Sequence, residues 1–172
     1  MRTNKLTLLG LFTAVSLMIF IVESFIPPLV PIPGIKLGLA NIVTLIVIQC
    51  SSYKDALLVL LARILLSTFF FGTAMSLLYS ICGGFLALLI MALSNKLLQK
   101  HMLFLSGMLG ALFHNIGQIT VAYFITATSG VLVYLPFLCI SGIITGFFTG
   151  MCAHFISKRL LKLKAEKQFF AK

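Results

Sequence analysis

"PPLVPIPGIKLGLANI", residues 27–42, places four prolines and two glycines between two strongly apolar stretches, with one charge, Lys36, in its middle. Proline has no N–H to donate and disfavours helix in the residue before it, so 27–35 is expected to be an extended or re-entrant segment. The helix that follows, 38–50, then spans only about 20 Å at 1.5 Å per residue, short of a bilayer core of about 30 Å. A short, Gly/Pro-interrupted apolar segment of this kind is a pointer to a binding site, because the free N–H groups of its helix end open into the protein. Lys36 adds a full positive charge to that positive helix end, an arrangement that suits an anionic group. Asn41 and Thr44 follow about one turn apart on the same helix, and the proline-rich segment would cap the pocket from the outer side.

The surrounding sequence fixes the class. Of 172 residues, 60% are hydrophobic and only 9% charged, with a mean hydropathy of +1.16, far from the usage of a soluble domain. Apolar runs separated by short polar or Gly/Pro breaks predict an all-α integral membrane protein, a six-transmembrane-helix bundle with spans at about 6–26, 38–50, 55–71, 75–94, 103–127 and 131–157. These leave a single membrane domain over 1–172, ending in a basic tail, 158–172. The first run follows Arg2 and Lys5 as a secretory signal would, but it carries Glu23, ends at Pro27-Pro28 and lacks a small-x-small cleavage site, so it reads as a retained helix.

The net charge of +10 is a topology signal. With the N-terminus in the cytoplasm, eleven of the thirteen basic residues fall on one side: Arg2, Lys5, Lys54, Lys96, Lys100, Lys158, Arg159, Lys162, Lys164, Lys167 and Lys172. The positive-inside rule then makes both termini cytoplasmic, and the basic tail an amphipathic extension drawn to anionic headgroups.

Inventory excludes several enzymes. A prenyl-diphosphate synthase holds magnesium with clustered aspartates, since hard cations need oxygen ligands; this chain has three acids, Glu23, Asp55 and Glu166, far apart. It has no G-x-x-x-x-G-K-[ST] loop for nucleotide phosphates. His101, His114 and His154 lack zinc-ligand spacing, and Cys50, Cys82, Cys139 and Cys152 form no C-x-x-C pair, which favours thiols over disulfides or metal ligands. No catalytic residue, metal or cofactor is expected.

The remaining polar chemistry is inside the apolar runs, where it is costly and therefore functional by default. Arg63 falls mid-way along the third span, with Glu23 as its available acid. In the fifth span, His114, Asn115 and Gln118 lie within about one turn, and Gly107, Gly110 and Ala111 continue the same stretch with small residues. Either interhelical hydrogen bonding or a ligand pocket accounts for them; with Lys36, Asn41, Thr44, Arg63 and Glu23 they make a candidate substrate-binding set. Gly142-x-x-x-Gly146-x-x-x-Gly150, continued by Ala153, is a close-packing ridge, and Gly10-x-x-x-Ala14 a shorter one on the first helix.

Three segments carry a family resemblance: "PGIKLGLANIVTL" (33–45), "LARILLSTFFFGTAMSLLYSICGGFLALLIM" (61–91) and "GALFHNIGQ" (110–118). In this order and spacing they resemble the bacterial membrane family known both as Gx transporter and as heptaprenyl diphosphate synthase component I. That family in turn is similar to the substrate-binding S components of energy-coupling-factor (ECF) transporters. The resemblance implies an ECF S-component-like bundle in the bacterial plasma membrane, with a loop closing over the ligand. It also implies Gly10 and Ala14 as an interface to a transmembrane coupling subunit, where S components carry alanine at both places. The expected function is the non-catalytic, substrate-binding subunit of an ECF-type importer for a small, anionic or vitamin-like molecule, working with ECF ATPase and coupling subunits and without nucleic acid. The alternative is a membrane accessory subunit of a prenyl diphosphate synthase or quinone-pathway enzyme.

Overall fold

The computed structural model describes residues 2–27, 32, 35–71, 73–98 and 102–170, with side chains from residue 5 to residue 163 of these. Most of the proline-rich segment, 28–31 and 33–34, thus lies outside the described residues, as do Lys100 and His101. Six α-helices follow one another: α1 (Arg2–Ser24), α2 (Asn41–Cys50), α3 (Tyr53–Phe71), α4 (Ala74–Leu97), α5 (Leu103–Thr126) and α6 (Leu135–Phe170). A 3-10 turn, Ser129–Tyr134, leads into α6, and the described residues contain no strand. Four stretches are long and apolar enough to cross a membrane: Lys5–Ser24, Ala74–Leu97, Leu103–Thr126 and Ser129–Leu163. The predicted end of the last span, 157, is overrun by α6, which continues through the basic segment to Phe170.

α2 is the organising element. It has 10 residues, three fewer than expected, because 38–40 turn with 3-10 geometry: the N–H groups of Asn41, Ile42 and Val43 donate to the carbonyls of Gly38, Leu39 and Ala40. Seven of its residues are buried, and it touches each of the other five helices. A helix apolar on all sides belongs in the middle of a bundle. A sharp Ser51-Ser52 corner then starts α3, where the Ser52 hydroxyl accepts from the Asp55 N–H at 3.2 Å and donates to the Asp55 carboxylate at 2.8 Å. This reciprocal cap satisfies orphan groups of the first turn. Lys5 pairs with the same carboxylate at 2.8 Å and ties α1 to the corner.

The interior is layered. One apolar cluster, drawn from all six helices, holds Phe12, Val43 and Leu45–Ile48, Leu60 and Ile64, Ala87 and Met91, Leu103 and Ala153. A second, at the other end of α4 and α5, joins Tyr79, Ile119, Ala122, Val131 and Leu138 to Ile32 and Ile35 of the α1–α2 connection. The described residues of that connection, 32 and 35–40, therefore cap one end of the bundle. Between the two clusters, α1, α2, α3 and α5 place Glu23, Asn41, Arg63, His114 and Gln118, all buried.

Glycines set the helix spacing. A Cβ on Gly146 would lie 2.6 Å from the Gly107 carbonyl oxygen, and one on Gly150 would lie 2.6 Å from the Phe104 Cα. The sixth-helix ridge is thus the α5–α6 seam, with Gly107 and Ala111 opposite it. Gly110 faces Met91 of α4 instead, and Gly117 faces Gly83. A Cβ on Gly10, by contrast, would meet no other part of the protein within 4 Å. Replacing Gly146 with Leu is expected to force α5 and α6 apart at a cost of about 1–3 kcal/mol or more, while Gly10→Leu leaves stability unchanged. Thermal denaturation followed by size-exclusion chromatography checks both.

Candidate functional site

The cap segment has its own anchor. Glu23, in the last turn of α1, receives the Gly38 N–H on Oε1 at 2.6 Å and the Leu39 N–H on Oε2 at 3.1 Å. Two successive backbone donors ahead of a helix are a natural carboxylate cradle, and here the chain supplies the carboxylate. Gly38 has φ of +81°, a conformation that strains any residue with a Cβ. Space forbids one as well: a Cβ there would sit 2.7 Å from His114 Cδ2 and 2.9 Å from Asn41 Nδ2. Gly38 is therefore the point at which the cap, α2 and α5 meet.

Two cations lie beside the cradle. Lys36 donates to the Ser24 hydroxyl and its Nζ stands 3.3 Å from the centre of the Phe20 ring. The Arg63 guanidinium lies 5.6 Å from the same ring, so Phe20 takes both cations on its π system. Burial pulls the Lys36 ammonium down to about 8, with Glu23 opposing that shift and Arg63 adding to it; at neutral pH it remains charged. Arg63 is 4% exposed, its charge reaches both Glu23 and His114, and its Nε has no partner.

His114 and Gln118 complete this face from α5. A Cβ on Gly83 of α4 would lie 2.9 Å from His114 Nδ1 and 3.0 Å from Gln118 Cγ, so the pair packs over the Gly83 backbone. Asn115 turns elsewhere: its Nδ2 donates to the Leu138 carbonyl at 2.6 Å and abuts Gly142, bonding α5 to α6. Thr44 is buried one turn beyond Asn41. The structure thus brings Glu23, Lys36, Asn41, Arg63, His114 and Gln118 to one region and places Asn115 at the α5–α6 seam. Gly10 and Ala14 lie apart, exposed on the outer face of α1.

Several buried polar atoms lack partners: Asn41 Nδ2, Arg63 Nε, His114 Nδ1, Asn115 Oδ1 and Gln118 Oε1. Each such orphan costs about 1–3 kcal/mol in a folded interior, and native proteins keep few of them. Four of these belong to the Gly38 region, while a sixth such atom, His154 Nδ1 on α6, lies outside it. Two of the four are obligate donors beside a net excess of positive charge. Among the described residues no group of three or more His, Cys, Asp or Glu side chains could hold a metal ion.

The family model for heptaprenyl diphosphate synthase component I matches residues 12–156, from α1 into α6. The chain belongs to this family. No match was found among curated proteins or solved structures. The matched stretch contains the cradle, both cations and the α5 pair. Phe20 and Gly38 were not singled out from sequence; the visible signals were the i, i+3 spacing of Phe20 to Glu23 and a lone glycine two residues after Lys36.

The Gly38→Ala variant is expected to lose about 1–3 kcal/mol of stability, the usual cost of a residue held in a sparsely populated backbone region. Asn115→Ala is expected to lose about 1 kcal/mol, the net worth of one hydrogen bond. Thermal unfolding of both in the same detergent checks the order.

Proposed function

We propose that this chain is a non-catalytic, membrane-embedded component of a multi-protein system, which holds a small acidic molecule in its polar layer while another chain does the chemistry. The observation that carries the reading is the pair of unpartnered donors, Asn41 Nδ2 and Arg63 Nε, buried near the Lys36 ammonium and the Glu23 carboxylate. Evolution retains such costly groups where a ligand completes them. The family description supplies the partner class: a second component of a prenyl diphosphate synthase, which would contribute the aspartates and magnesium that this chain's three acids do not. The basic run of α6, with Lys158, Arg159 and Lys162 exposed, gives such a soluble partner a surface at the membrane, and the positive-inside rule would put that surface in the cytoplasm.

A second reading, the substrate-binding subunit of an ECF-type importer, is favoured by one specific feature. α1 turns Gly10, Leu11, Ala14 and Met18 outward, and Gly10 has open space around it. A small-residue face of this kind lets another membrane helix approach closely, which a soluble enzyme would not need.

Photo-crosslinking amino acids at Lys162 and at Ala14, introduced separately in living cells, separate the two. Capture of a prenyltransferase component from position 162 is the expected result. Capture of a coupling subunit or ATPase from position 14 transfers the assignment to the importer, and capture of neither from either position contradicts both.

A further inference from the structure

On sequence grounds the amide-rich start of α2 is the natural seat for the ligand's acid, but in the structure Glu23 sits there with both carboxylate oxygens engaged. The neighbouring donors do not share it: Asn41 Nδ2 and Arg63 Nε are each without an acceptor, on side chains 5% and 4% exposed. Lys36 is committed to Ser24 and Phe20. The charges of the region are thus two cations against one carboxylate, with the carboxylate on the amides and the surplus on the Arg63 side.

We propose that Glu23 is a resident anion, a built-in occupant of the Gly38–Leu39 amide cradle that latches the cap to α1, so that the ligand's acidic group is received by Arg63 and Asn41 and not by the helix end. Glu23 is then a positioning residue. It fixes Gly38, whose backbone conformation sets Asn41 and the contact with His114, and its charge balances one cation before any ligand arrives. Buried opposite charges hold geometry best when the acid also accepts backbone hydrogen bonds. The latch is made by this chain alone, through Glu23, Gly38 and Leu39. The assignment of the ligand's acid rests on the interior-binding reading above, whereas the cradle does not.

Hydrogen–deuterium exchange of the peptide covering 35–41, in the full chain in lipid nanodiscs, tests this. Wild type is expected to protect the Gly38 and Leu39 amides, and Glu23→Ala to exchange them at least tenfold faster. Sodium formate, as a replacement carboxylate, is expected to restore severalfold protection in Glu23→Ala and to do nothing in wild type, with sodium chloride at equal ionic strength as the control. The near-isosteric Glu23→Gln variant keeps the packing, loses the charge, and is expected to show a smaller acceleration in the same direction. Unchanged exchange in both variants, or chloride acting as well as formate, overturns the proposal. Arg63→Gln separates this from the binding reading: it is expected to leave the protection intact, and its loss would show that Arg63, not Glu23, holds the cap.

Discussion

A ten-residue helix at the centre of a membrane bundle, entered through a 3-10 turn, leaves the N–H groups of that turn inside the protein, and nothing in hydrocarbon can satisfy them. The rest of the structure follows from how that end is closed. Glu23 reaches from the last turn of α1 to the Gly38 and Leu39 amides, which fixes where the cap crosses the bundle. Ile32 and Ile35 are thereby delivered to the apolar cluster of α4, α5 and the 3-10 turn. A buried carboxylate needs compensating charge, and Lys36 and Arg63 both lie against the Phe20 ring and both act on Glu23. Two cations for one acid is more than compensation requires, and the surplus is what gives the polar layer its chemistry.

The helices around this layer divide the labour. α5 and α6 are drawn together by facing glycines, with Asn115 bonded across the seam, and they form a stiff wall. Among the described residues α1 touches only α2 and α3 and leaves its Gly10–Ala14 face open. The lower apolar cluster and the Lys5–Asp55 pair hold the opposite end shut. A close-packed wall, a capped end and a peripheral helix with a free face are the frame around the polar layer.

Much of this was legible in the sequence. Hydropathy located the helices to within a few residues except at the end of α6, and the proline cluster with its following short apolar run marked α2 as too short to span. The glycine ridge of α6 pointed to a close seam. What the sequence concealed were directions. Successive residues on a helix point about 100° apart, so His114 and Gln118 meet Gly83 whereas Asn115, one residue on, meets Gly142; a spacing rule that groups all three blurs that difference. Gly107 and Gly110 divide between α6 and α4 for the same reason. The partner of Glu23 was hidden more deeply, because backbone amides leave no residue-type signal and an acid is naturally matched to a visible base. Helix continuation through the lysines after Ser157 matches the reading of the basic tail as an amphipathic extension of the last helix, since Lys and Arg are good helix formers.

The central claim is that the polar layer around Gly38 holds an acidic molecule through Arg63. Native mass spectrometry of the protein released from lipid nanodiscs tests it directly. The account predicts one acidic small-molecule adduct per chain in the wild type, absent from an Arg63→Gln variant of equal thermal stability; a wild type without any adduct, or a variant that keeps it, would contradict the account.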